Sequence, residues 1–432
     1  MAHLGMRGTG DWVTNQRPQD WRQQILYLYP NGMVPLTAIL SMMGSEKVTD
    51  PQFNWWTENI TDVIGDVAGI YNDAACLVPY IANNAAAGTT LYLRIDDSIA
   101  NYIRVGHQIL LRDASSWRVD VNAKVTFVDV VAGVNLSTIA VLLLEADDNV
   151  GGVGGLSGCD AFKIIGNINP EGGEMPDAVA RDVTQHYNYT QIFRTPLSIT
   201  RTARLTKLRT ENDYQKMKRE ALEMHGIEQE NGFMWGIRTQ GVGDNGKPER
   251  TTRGIIPWIR ALAAANCDDF STNAAYAGTT WVTNGELWLD IMMEQIFRYG
   301  SQEKLAFCGS GALLGINRAA KAGGVIMLNP KTAEYGLKVT QWITPFGVLN
   351  MKTHPLFSFD ATTRNMMVIF EPGQIKYKYI TDTTFYPDKE KDSQNGKRLD
   401  ATIEEFLTEC GLEFHHGEKS GVLNGVGVDS TV

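Results

Sequence analysis

The residue groups in this chain that could do chemistry are few, and each breaks its own pattern. Gly241, Gly246 and Lys247 have the G-x-x-x-x-G-K spacing of a loop whose backbone amides cradle a nucleotide phosphate. The next residue is Pro248, where such a loop needs a Ser or Thr hydroxyl for magnesium, and the segment follows an expected helix instead of a strand. In "CGSGALLG", Gly309 and Gly311 fall between an expected strand and an expected helix, as a dinucleotide fold requires. The third position there is Leu314, Gly315 comes one late, Glu334 is the first acid after it, and a β-hairpin is expected to follow in place of a second parallel strand. Neither Ser157 nor Ser310 completes the G-x-S-x-G of a nucleophile elbow. His415 and His416 are adjacent on an expected strand, so their side chains point to opposite faces and cannot share one metal ion. His3, His107, His186, His225 and His354 are isolated in sequence. The reading therefore assigns no catalytic, cofactor-binding or metal-binding residue.

Composition narrows the class. A chain of 432 residues can bury large cores and is expected to hold two or three domains. Its net charge of -10 leaves no excess cation to displace the counterions of a nucleic acid, which argues against sequence-specific or tight DNA binding. The 42 glycines point to many turns and loops. Cys76, Cys159, Cys267, Cys308 and Cys410 are odd in number and never form a C-x-x-C pair, as expected of reduced thiols in a cytosolic product. The N-terminus lacks the basic-then-apolar order of a signal peptide, and no apolar run reaches the roughly 18 residues a membrane helix needs.

The element that organises the rest is "TENDYQKMKREALEMHGIEQENGFMWG", from Thr210 to about Gly236. Thr210 and Asp213 have the spacing of a helix start, and a helix of roughly 26 residues would be about 39 Å long. Tyr214, Met217, Ala221, Met224 and Ile227 form only a thin apolar stripe, so the helix reads as a strut. Lys216, Lys218 and Arg219 come early and Glu220, Glu223, Glu228 and Glu230 late, an order that opposes the helix dipole and points to partners outside the chain.

Around the strut, residues 1 to about 60 are aromatic but aperiodic. They are expected either to pack on something else or to form an irregular layer on their own domain. From Thr89 to Ile165 short period-two runs predict a small antiparallel barrel or sandwich. Residues 168–208 read as an extended hairpin feeding the strut. Its start holds the acids Glu171, Glu174 and Asp177, while the basic Arg201, Arg204, Lys207 and Arg209 lie towards its end. Opposite charge at two ends suits head-to-tail contact between copies, and equally suits two solvated faces. Beyond Gly246 the pattern is mixed α/β, with "LTECGLEFHH" as the expected final strand. The fold class is α+β.

Six stretches carry a family resemblance: "NGMVPLTAILS", "FNWW", "DAVARDVTQHYNYTQIFRTPLSIT", "ALEMHGIEQENGFMWG", "VTQWITPFGVLNMKTHPLF" and "LTECGLEFHHGEKSGVLNGV". On these the chain resembles the major capsid proteins of tailed bacteriophages with the Hong Kong 97-type fold, in a branch with an inserted β domain. The resemblance implies an N-terminal arm (1–60), a connecting segment (61–88), the β domain (89–165) and an extended loop (168–208). It further implies a spine helix with peripheral domain (209–253), an axial domain (254–372) and a return to the peripheral domain (373–432). It implies copies assembling as hexamers and pentamers into an icosahedral shell around double-stranded DNA, with no cofactor and no membrane. The expected setting is the virion, assembled in the host bacterial cytoplasm, with a portal protein and separate scaffolding and decoration proteins as expected partners. The expected contacts between copies are Trp55 and Trp56 in the arm, and Glu171, Glu174 and Asp177 against a neighbour's Arg201, Arg204, Lys207 and Arg209. The competing readings are a decoration or tail protein, and an NAD(P)-dependent oxidoreductase resting on Gly309 and Gly311.

Overall fold

The computed structural model describes residue 36 and residues 44–58, 64–113, 120–130, 136–147, 155–176, 178, 183–206, 213–323, 328–334, 337–387 and 400–431. Thr210, the expected helix start, lies outside the described residues, as do Asp177, Lys207 and Arg209. The chain divides into two compact units, one formed by residues 1–57 with 185–432 and the other by Glu58–Thr184. Strands β1 (Ser45–Lys47) and β2 (Gln52–Thr57) open the first unit.

The second unit is a closed antiparallel barrel. Its strands are β3 (Ile64–Tyr71), β4 (Thr90–Ile95), β5 (His107–Arg112), β6 (Asp120–Asp129), β7 (Ser137–Leu143) and β8 (Ala161–Asn167), in the order β3-β4-β7-β6-β5-β8. Alternation makes the interior: Leu91, Leu93 and Ile95 on β4, Ile109 and Leu111 on β5, and Val121, Ala123 and Val125 on β6 all turn into one buried cluster. The expected β domain started at Thr89, whereas the barrel takes its first strand from Ile64–Tyr71, inside the expected connecting segment. "IGDVAGIY" hides as a strand because glycine and aspartate are poor strand formers. Gly65 is nevertheless needed there, since a Cβ would stand 2.6 Å from the Phe162 ring that fills the barrel.

In the first unit, β9 (Thr184–Tyr189) pairs with β2, and β10 (Gln191–Thr200) leads through a short helix, Arg201–Leu205, towards the long helix, Asp213–Trp235. A small hairpin follows, β11 (Thr239–Val242) with β12 (Pro248–Thr251), then a helix at Ile255–Leu262 and β13 (Cys267–Asp269). The G-x-x-x-x-G-K segment is the turn of that hairpin, with Gly246 in the left-handed region at φ 72°. A helix at Trp281–Phe297, β14 (Glu303–Cys308), a helix at Ser310–Gly323 and β15 (Leu328–Glu334) come next. β16 (Leu337–Thr344), β17 (Gly347–Thr353), β18 (Met367–Phe370), β19 (Ile375–Tyr386), β20 (Ala401–Phe414) and β21 (Gly421–Asn424) complete the chain.

These strands form two main sheets. One has the order β1-β19-β20-β10 and the other β13-β21-β18-β14-β17-β16-β15. Among the described residues of the expected hairpin at 168–208, β10 runs antiparallel to β20 over its whole length and β9 joins β2, so these two strands do not pair with each other. Strand β20 also differs from its expected place as the last strand, because β21 follows and enters the seven-stranded sheet beside β13 and β18. β14 is covered on both faces, which its unbroken apolar run requires. Ala306 and Cys308 pack with Trp288, Met293 and Ile296, while Leu305 and Phe307 join the cluster holding Ile255, Ile256 and Ile259.

The Gly309–Gly311 turn also resolves physically. β17, the second strand of the expected hairpin, pairs parallel with β14, so a strand–helix–parallel strand connection is present. Its helix start offers no phosphate cradle, however. The amides of Gly311 and Ala312 donate to the carbonyl of Arg364, that of Gly309 to Met366, and that of Ser310 to the Ser358 hydroxyl. A Cβ at Gly309 would lie 2.1 Å from the Arg364 carbonyl oxygen. The glycines admit the 364–366 segment, which occupies the donors a dinucleotide would use.

Candidate assembly interface

An assembly surface is what remains after a chain has satisfied its own groups, so the long helix is the place to start. Its 23 residues span about 34 Å. It stops where Gly236 passes between backbone carbonyls, since a Cβ there would come within 2.4 Å of Gly232 and 2.5 Å of Thr252. The buried face differs from the expected stripe. Ala221, His225, Gln229, Glu230, Phe233 and Met234 face inward, while Leu222 and Met224 are exposed.

Buried polar contacts set that rotation. His225 contacts Thr195 of β10 through Nδ1 at 2.9 Å and Thr408 of β20 through Nε2 at 2.7 Å. Burial holds its pKa below the usual value, and Glu228 opposes this only in part. Five residues on, Glu230 is fully buried. Its Oε1 accepts from the Leu36 amide at 2.8 Å and lies 2.9 Å from Nε2 of His354, whose ring stacks on Phe357. Hydropathy could not find these two residues, because it scores both as surface groups; the spacing of four from Ala221 through His225 and Gln229 to Phe233 was the available signal.

Part of the charge order of the helix is accounted for within the chain. Lys218 sits over the Phe385 ring at 3.5 Å, Lys216 reaches Glu220 at 3.8 Å, and Glu230 is buried.

A second polar cluster ties β1 to the main sheet. Lys378 bridges Glu46 of β1 and Glu413 of β20, the latter at 2.8 Å, and Glu413 also contacts His415. Burial alone would raise the Glu413 pKa, but the contacts from His415 and Lys378 prevail and bring it to about 2. The rings of His415 and His416 are 6.5 Å apart, and His416 lies in the left-handed region at φ 45°, just past the strand. Among the described residues no group of three or more His, Cys, Asp or Glu side chains could hold a metal ion. All five thiols are free; burial raises the pKa of Cys159 and of Cys410 to about 12.

The expected contact residues separate. Trp55 is 6% exposed and packs against Phe53, His186, Trp258 and His415, so within the chain it belongs to the core. The cause is the alternation of β2, which turns Phe53 and Trp55 inward and leaves Trp56 60% exposed. Glu171 and Glu174 are exposed. Arg201 has an in-chain partner, Asp400 at 2.8 Å, and Arg204 stacks over Tyr214 at 4.7 Å while donating to Thr402. Both arginines are therefore engaged with the start of β20 and the long helix.

Comparison with known proteins identifies the family. A sequence model described as SU10 major capsid protein matches residues 7–427. The major capsid protein of Pseudomonas phage PaMx41 is 22% identical over 383 residues, covering 86% of this chain and 82% of that protein. A solved chain from Microbacterium phage Oxtober96 has a TM-score of 0.44 at 9% identity, covering 95% of this chain and 96% of that one. One from Mycobacterium phage Adephagia has a TM-score of 0.43 at 8% identity, covering 97% and 98%. The match to the family model runs nearly end to end, and the chain belongs to the SU10 major capsid protein family.

Proposed function

We propose that this phage capsid protein builds its shell as hexamers and pentamers, in the manner of the Hong Kong 97-type fold, and that the shell encloses double-stranded DNA. The observation that supports this most is the long helix pinned in its second half by His225 and Glu230, which stiffens it as a structural wall element requires. In this reading residues up to about 57 are the arm, the excursion from Glu58 to Thr184 holds the inserted β domain, and the extended loop keeps its expected place at 168–208. The helix and the β1-β19-β20-β10 sheet form the peripheral part, and residues 254–372 with the returning β21 form the axial part. The net charge of -10 suits a container that must not grip its cargo. No catalytic role and no cofactor belong to this reading; a portal protein, and separate scaffolding and decoration proteins, are its outside partners. Assembly takes place in the host bacterial cytoplasm.

Contacts between copies are heterologous in this reading. Glu171, Glu174 and Asp177 of one copy approach Arg201, Arg204, Lys207 and Arg209 of the next, and Trp56 supplies an apolar contact. Arg201 and Arg204 can exchange their in-chain partners because exposed ion pairs are worth under about 1 kcal/mol.

Negative-stain microscopy and sedimentation of the full chain expressed alone test the shell reading. Closed polyhedra, or separate hexamers and pentamers, are the expected result. A uniform monomer that stays monomeric when scaffolding and portal proteins of the same phage are co-expressed would overturn it.

A further inference from the structure

The barrel carries a loop whose construction its own fold does not require. Between β3 and β4 the chain runs "NDAACLVPYIANNAAAGT", and from Ala74 to Leu93 it has no charged residue. Three large aliphatic side chains within five positions point to solvent: Leu77 at 79%, Val78 at 54% and Ile81 at 79% exposure. Single exposed aliphatics are ordinary, whereas a cluster in a soluble domain needs an explanation.

The loop is also held rigid. The Asp73 carboxylate accepts from the amides of Leu77 at 3.1 Å and Val78 at 2.8 Å, and the Asn72 amide donates to the Val78 carbonyl. Cys76 is buried beside Thr138, and Tyr80 is buried with its hydroxyl donating to Asp147 at 2.7 Å and accepting from the Ala85 amide. Asn83 accepts from the Ser157 amide at 2.8 Å. Cys76 and Asn83 adopt left-handed backbone at φ 53° and 50°, a strained choice for cysteine. Cys76 and Tyr80 turn inward, Asp73 and Asn83 are half-buried, and Leu77, Val78 and Ile81 among them are held outward. A rigid display lowers the ordering entropy lost on docking, which has value only if something docks.

We propose that Leu77, Val78 and Ile81 form an apolar contact knob that seats on a second copy of this chain. This rests on the shell-building reading. Two observations select a copy over another partner. The chain is a capsid protein, and in the shell reading its neighbours within the wall are its own copies, each carrying the same knob. The loop is also charge-free over a long run, and the buried centres of permanent interfaces are depleted of charge.

The test compares the wild-type full chain with Leu77→Asp/Ile81→Asp and with the milder Leu77→Ser/Ile81→Ser. Because both side chains are solvent-exposed, both variants should keep the wild-type melting temperature before assembly. The Asp pair should lower the assembled fraction by about tenfold or more, and the Ser pair by less. Hydroxyl-radical footprinting of wild type should show Leu77 and Ile81 oxidised in dissociated subunits and protected in particles. Variants that assemble like wild type, or equal oxidation in both states, would overturn the knob. Protection already present in dissociated subunits would also overturn it, by showing that the chain covers its own loop. A wild-type chain that forms no particles even with its scaffolding and portal proteins would instead remove the shell reading on which the knob rests.

Discussion

Glu230 and His354 meet at 2.9 Å in full burial, 124 residues apart in sequence, and the same carboxylate oxygen holds the backbone amide of Leu36. One acid thus joins Leu36, the long helix and the segment after β17. Replacing Glu230 with Ala leaves the Leu36 amide and the His354 ring without that acceptor, a loss of about 3 kcal/mol for two orphaned buried groups. The expected result is a lower melting temperature together with faster hydrogen exchange at the Leu36 amide. Unchanged exchange at Leu36 would reject the three-way joint.

His225 should make stability pH-dependent near neutrality. Its folded pKa is lowered by burial, so the unfolded chain takes up the proton first as pH falls. Its contribution is full above the unfolded value near 6.5 and is lost as pH drops through the folded one. His225→Gln should therefore be less stable than wild type at pH 8, and should lose less melting temperature between pH 7 and pH 5. Parallel pH profiles for the two proteins would contradict this.

Glu413 sets an acid limit by the same linkage. Its pKa of about 2 lies below the ordinary 4.5, so its contribution is intact above pH 4.5 and disappears as pH falls towards 2. The gap corresponds to stabilisation on the order of 3 kcal/mol. Glu413→Gln should melt lower at pH 6 and show a flatter loss in that acid range, measured by circular dichroism on the unassembled chain.

The proposed charge contact between copies can be tested by reversal. Arg204→Glu with Lys207→Glu should reduce particle formation, and adding Glu171→Lys with Glu174→Lys should restore part of it. Single reversals are expected within about 1 kcal/mol of wild type. A fourfold variant no better than the double one rejects the pairing. Melting of the unassembled chain serves as control, because Arg204 also contacts Tyr214 and Thr402.

Local chemistry made much of this fold legible in the sequence. The turn after Thr344, the buried run of β14 and four of the six barrel strands, β4 to β7, follow from period and punctuation alone. What escaped depends on contacts remote in sequence. Arg194 of β10 faces Leu407 of β20, and no local signal distinguishes that pairing from a hairpin closing on itself. The burial of His225 and Glu230 was hidden for the same reason, since their partners Thr408 and His354 lie far along the chain. The burial of Trp55 escaped because an aperiodic reading of residues 1–60 missed the strict alternation of β2. Decoration, tail and oxidoreductase readings give way to the family match, the last also because Arg364 and Met366 occupy the amides it relied on.

β2 ends at Thr57, and its hydroxyl lies 2.9 Å from the ring of His186, next to where the chain re-enters the first unit. The doorway out and the doorway back are one. A module joined this way can be cut out and the gap closed by a short turn, or exchanged for another domain with neighbouring termini, without re-threading either sheet. Because the barrel is closed, it also presents no unpaired backbone to recruit stray strands. The barrel is in effect a cassette, residues 58–184, whose two connections to the first unit lie side by side.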